Sequence, residues 1–148
     1  MSFIKTHMEP YVLSEDQISF YNEEGYLHLK GVFPKRDIDV VRKDMDSFAD
    51  GRYTIYLDMH HYKSLKQIHR GKKMCDIADA LVGGERAIPI GSTAFFCKPN
   101  NPLELGSTWH QDNYAGRSTP GSYLNIALAV DDADPSNGSL MVVPGSHK

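Results

Sequence analysis

The sequence predicts an α+β chain forming a single domain, with helices first and antiparallel strands after them. Three observations carry this. Apolar residues recur at helical spacing up to Gly83-Gly84, whereas short apolar runs between turn signals follow from Ile88 onward. No internal repeat or low-complexity tract interrupts the chain. Its 148 residues suffice for one core and are too few for two ordinary ones. Residues 1–84 are therefore expected to be mainly helical, and residues 85–148 to supply strands.

Each element has its own warrant. Ser14-Glu15-Asp16-Gln17 reads as a helix start. Ser14 can cap, Gln17 stands three residues on, and the two acids suit the positive end of the helix dipole. Ile18 and Tyr21 give a partial apolar stripe, and Gly25 is a natural stop. Tyr26 to Lys30 alternates like a short strand. Pro34 suits a first helical turn, and Ile38, Val41, Met45 and Phe48 follow at helical spacing up to Gly51. Arg52 to Lys63 has no clear pattern. Met74, Ile77, Ala78 and Leu81 predict a third helix. Ile88 to Lys98 reads as a strand turned near Gly91, Ser107 to Asp112 as extended chain, and Tyr123 to Val130 as the clearest strand. Pro135-Ser136-Asn137-Gly138 is a turn before a last strand, Ser139 to Val143.

Composition excludes several function classes. Sixteen basic against 19 acidic side chains give a net charge of −3, which argues against a nucleic-acid surface. The longest aliphatic run, Ile126 to Val130, is far shorter than the roughly 20 residues of a membrane helix. The first ten residues lack the apolar core and cleavage pattern of a secretory signal. Cys75 and Cys97 are the only cysteines, too few for a disulfide framework, so a reducing, cytoplasmic setting is expected. Asn137-Gly138-Ser139 matches a glycosylation sequon, but a hairpin turn explains it better. His60, His61 and His69 are expected at the surface, and Tyr53, Tyr56 and Tyr62 in packing.

The sharpest local feature is Trp109-His110-Gln111-Asp112. In extended chain, residues i and i+2 project to the same side. His110 and Asp112 would then present an imidazole and a carboxylate together, two of the three donors in the 2-His-1-carboxylate triad of non-haem iron enzymes. Taken alone, most His-x-Asp triplets bind nothing.

The triplet does not stand alone. Lys98-Pro99, Trp109 to Asp112, Asp131-Asp132-Ala133 with Asn137-Gly138, and Pro144-Gly145-Ser146-His147-Lys148 occur in that order. With Leu13 to Gln17, Gly25-Tyr26 and Gly31-Val32-Phe33, the set resembles the phytanoyl-CoA dioxygenase family of Fe(II)/2-oxoglutarate oxygenases. The resemblance implies a double-stranded β-helix, a jelly-roll or cupin-like barrel with the N-terminal helices packed on it. It implies Fe(II) held by His110 and Asp112, 2-oxoglutarate as co-substrate, and leaves room for ascorbate as an accessory reductant. Lys98 becomes a candidate to balance a co-substrate carboxylate, with a solvated strand-end lysine as the plain alternative. Asn125, on one strand face with Tyr123 and Ala127, becomes a candidate hydrogen-bond partner of the co-substrate. The implied reaction is hydroxylation of a small-molecule or acyl substrate, and Asp112 favours it over halogenation, whose family practitioners lack this carboxylate.

The resemblance places the second metal His, and the Arg that grips 2-oxoglutarate, downstream of Pro-Gly-Ser-His. His147 matches a non-ligand position. A jelly roll needs about eight strands and roughly five are found after Ile88. The barrel is thus expected to be incomplete here, and the chain to be the N-terminal part of a longer protein. A non-catalytic cupin-like barrel and an inactive fragment remain the alternatives.

Overall fold

The computed structural model describes residues 3–47, 54–56, 62–84, 86–88, 93–95, 109–112, 123–137 and 139–148, with the strands 54–56 and 93–95 described by backbone alone. The order of elements is α1 (Glu15–Glu24), α2 (Lys35–Asp46), β1 (Thr54–Tyr56), α3 (Lys63–Arg70), α4 (Lys72–Leu81) and β2 (Thr93–Phe95).

α1 begins as its residues require. Ser14 Oγ accepts from the Gln17 backbone N–H, and the Gln17 side chain accepts from the Ser14 N–H, closing a reciprocal capping box. Such a cap contributes about 1 kcal/mol. Gly25 ends the helix in the left-handed region, at φ +79°, with its N–H on the Tyr21 carbonyl. Pro34 lies one position earlier than the sequence suggests, outside the helix, as the N-cap of α2. α3 is an addition. It rises directly from the segment that lacks a sequence pattern, with Ser64, Leu65 and Ile68 buried. Gly71, in extended conformation, separates it from α4, and only glycine fits there, since a Cβ would lie 2.5 Å from the Gln67 carbonyl oxygen and 2.7 Å from that of His7. His69 lies in α3 and is half-buried rather than at the surface.

The core is a helical one. Ile4, Phe33, Val41, Leu65 and Ile68 form the buried cluster, with Ile38, Met45, Tyr62 and Met74 packed around it. Leu128 and Val130 reach it from the second half of the chain, while Ala127 and Ala129 are exposed. That alternation is the one expected of an extended segment with one face inward. The buried polar side chains Thr6, Asp37, Ser64 and Lys73 all find partners. Asp37 accepts from the Thr6 hydroxyl at 2.8 Å and the Thr6 N–H at 3.1 Å. Lys73, buried, donates to Glu9 and to the Val32 carbonyl, both at 3.1 Å. Asp44 accepts from the Ser64 hydroxyl and ties α2 to α3. Arg42 on α2 donates to the Val130 carbonyl at 2.6 Å and to Asp131, fixing where the later segment joins the helices.

β1 and β2 pair antiparallel, Ile55 opposite Ala94. β2 falls inside the strand expected over 88–98. Tyr26 to Lys30, Tyr123 to Val130 and Ser139 to Val143 join no ladder among the described residues. The turn at 135–137 is held by Asp134, whose carboxylate accepts from the Ser136 N–H at 2.7 Å, while the Asn137 amide donates to the Asp132 carbonyl at 2.8 Å. No helix among the described residues is long and apolar enough to cross a membrane.

Candidate metal centre

His110 and Asp112 meet. His110 Nε2 lies 3.2 Å from Asp112 Oδ1, so the two side chains share a side as alternate positions of extended chain should. A carboxylate oxygen can only accept. A 3.2 Å approach to an imidazole nitrogen therefore needs a proton on Nε2 or a cation between them. Two donors bonded at about 2.1 Å to one divalent ion, at a right angle, stand about 3.0 Å apart, close to the observed spacing. The donor types and their separation fit a first-row metal ion. Both side chains are about half exposed, so an ion can reach them. Among the described residues no group of three or more His, Cys, Asp or Glu side chains converges on one point, so the pair supplies two donors.

The carboxylate is held from its other side. The Asn125 amide donates to Asp112 Oδ2, leaving Oδ1 toward His110. The Tyr123 hydroxyl lies 3.4 Å from Asn125 Oδ1, a long hydrogen bond that orients the amide. Tyr123 and Asn125 do share a face, as expected, and that face meets Asp112. Asn125, the candidate hydrogen-bond partner of a co-substrate, places its side-chain amide on the Asp112 carboxylate. Lys98 lies outside the described residues, as do Cys97, His60 and His61. His147 does not join the pair as a third donor. It sits at the end of α1, where its ring nitrogen meets the Asn22 carbonyl.

One participant was not singled out by residue type. Gln111, between the two candidate ligands, donates through Nε2 to the Ser146 carbonyl at 2.5 Å. The available signal was order along the chain, since the His-Gln-Asp and Pro-Gly-Ser-His stretches recur as a set.

Comparison with known proteins gives the same direction. The family model that matches is phytanoyl-CoA dioxygenase (PhyH), over residues 21–148. Among curated relatives, a Stutzerimonas stutzeri protein named "probable alpha-ketoglutarate-dependent hypophosphite dioxygenase" is 22% identical over 86% of this chain and 51% of its own length. An ectoine dioxygenase of Nocardia farcinica is 23% identical over 95% of this chain and 54% of its own. Another, from Stutzerimonas stutzeri strain A1501, is 20% identical over 97% and 54%. The chain thus spans about half the length of the curated relatives it matches. No solved structure matches it significantly.

Proposed function

Since this chain belongs to the phytanoyl-CoA dioxygenase family, we propose that it carries part of the active site of an Fe(II)/2-oxoglutarate-dependent dioxygenase that hydroxylates a small-molecule or acyl substrate. The observation that carries the proposal is the 3.2 Å approach of His110 Nε2 to Asp112 Oδ1. Ectoine and hypophosphite, the substrates in the relatives' names, are small polar species and favour the small-molecule side of that choice.

The residues divide the work by chemistry. His110 and Asp112 supply a neutral nitrogen and an anionic oxygen, a mixed pair suited to a divalent first-row ion. Asn125 fixes the carboxylate rotation, so Asp112 offers one oxygen rather than two. Lys98 is the candidate cation for a co-substrate carboxylate. The family pattern would place the remaining histidine ligand and the co-substrate arginine downstream of Pro-Gly-Ser-His. An iron ion held by His110 and Asp112 together with 2-oxoglutarate would supply the oxidising chemistry, with dioxygen as oxidant: one of its oxygen atoms would end in succinate, released with carbon dioxide, and the other in the hydroxyl formed at a substrate C–H bond.

The test is metal binding. In the full-length protein, His110→Ala and Asp112→Ala should each weaken Fe(II) or Co(II) binding by tenfold or more and abolish substrate-dependent succinate release. Both side chains are about half exposed, so thermal midpoints should stay within a few degrees of wild type. Wild-type metal affinity in either variant would overturn the assignment.

A further inference from the structure

We propose that the Pro144–Lys148 turn is a strut running from the C-terminus of α1 to the His110–Asp112 pair, with His147 and Gln111 as the positioning residues at its two ends. The strut's effect on metal affinity rests on the metal reading above; the strut itself does not.

The first end is set by a missing side chain. Gly25 closes α1 at φ +79°. A Cβ on Gly25 would fall 2.2 Å from His147 Nδ1, 2.6 Å from its Cγ and 2.9 Å from its Cε1. The imidazole therefore occupies the space that only glycine leaves. Its Nε2–H donates to the Asn22 carbonyl at 3.1 Å. Beside it the Gly145 N–H donates to the Glu24 carbonyl at 2.8 Å. The last four carbonyls of a helix lack partners within it. The turn satisfies two of them here, so its attachment to α1 replaces water on groups that need a donor.

The second end is Gln111. The turn's Ser146 carbonyl accepts from Gln111 Nε2 at 2.5 Å. Gln111 is the residue between the candidate ligands, and its side chain serves the turn while theirs meet each other. Apolar packing offers little alternative anchorage, since Trp109 is 67% exposed and His110 and Asp112 about half. Directed polar bonds thus decide where the ligand segment lies, and bonds that orient metal-ligating side chains commonly alter metal affinity by about 10–100-fold.

Trp109 is the single tryptophan of this chain and adjoins His110, so its fluorescence anisotropy reads the freedom of the ligand segment directly. His147→Ala and Gln111→Ala should lower that anisotropy and weaken Co(II) binding about tenfold or more. His147→Gln, which keeps a side-chain N–H donor, should restore much of both. Gly25→Ala should reproduce His147→Ala, and combining the two should add little, because each removes the same contact. His110→Ala should lose Co(II) while keeping the anisotropy of wild type. Unchanged anisotropy and Co(II) affinity in both His147→Ala and Gln111→Ala, with His110→Ala losing the metal, would overturn the strut and leave the metal reading standing. A full-length wild type that binds no Co(II), with a chain that still loosens at Trp109 in His147→Ala, would keep the strut and overturn the metal reading.

Discussion

The helical half and the segments around the His110–Asp112 pair are held by different forces. Around Ile4, Phe33, Val41, Leu65 and Ile68 the side chains are buried, and apolar area removed from water dominates. Around 109–112 the side chains are about half exposed or more, and hydrogen bonds from Asn125 and Gln111 do the fixing. On the metal reading proposed above, the difference follows from what each region is for: a core gains by excluding water, whereas donors that take up an ion from solution must stay reachable. Stability and site geometry should therefore respond to different substitutions, and the sharpest contrasts lie between residues of similar chemistry placed in the two regions.

The largest effect is expected at Phe33. It is 6% exposed within the buried cluster, and the Lys73 ammonium lies 5.5 Å from its ring centroid. Phe33→Ala removes the ring's burial, leaves a cavity and strips Lys73 of a neighbour. Denaturant unfolding should show a loss of about 3–5 kcal/mol. A loss below about 1 kcal/mol would mean that the helical cluster does not hold this half together.

The next contrast sets two aspartates against each other. Asp112 is about half exposed, whereas Asp37 is 1% exposed. Burial pushes the Asp37 carboxyl up, but hydrogen bonds from the Thr6 side chain and from the Lys5 and Thr6 backbone, with the Arg36 charge, outweigh it and hold the group below its ordinary range. A carboxyl whose folded pKa is lowered stabilises the fold fully above the unfolded value of about 4, and that contribution is lost as pH falls through the lower folded value. Asp37→Asn keeps an acceptor and removes the charge. Its stability deficit, about 1–3 kcal/mol at pH 7, should shrink below pH 4. Unfolding curves at pH 7 and pH 3 decide this, and a gap that does not change with pH would refute the ionic account.

How much of this the sequence discloses depends on the distance over which each feature is encoded. The α1 cap was legible because Ser14 and Gln17 are three residues apart and Gly25 announces its own conformation. The His110 and Asp112 pairing was legible for the same reason. α3 was not. Its N-cap, Tyr62, makes no side-chain cap, and one of its three buried residues is Ser64, which is buried because Asp44 reaches it from α2. Tyr26 to Lys30, which reads as a short strand, joins no ladder among the described residues, although Leu27 and Leu29 are partly buried and His28 and Lys30 exposed. Alternation reports one-sided burial, and a ladder needs a partner that local pattern does not specify. Asn125 on Asp112, and His147 against Gly25, join residues far apart in the chain, so residue type alone gave neither.

The smallest effect is expected at Trp109, and it tests the comparison most directly because Trp109 and Phe33 are both large aromatics. A buried aromatic removes some 150–250 Å² from water, which is why Phe33 should be costly to truncate. Trp109 is 67% exposed and therefore hides a minor part of its surface. Trp109→Ala should shift unfolding by no more than about 0.5 kcal/mol, the range of surface substitutions away from special features. It should also leave Co(II) affinity within about twofold, since the polar bonds of Gln111 and Asn125 remain in place. Equilibrium unfolding followed by far-UV circular dichroism avoids relying on the fluorophore being removed. A loss above about 1.5 kcal/mol would place Trp109 in a packed environment and end the division drawn here between a region that excludes water and one that admits it.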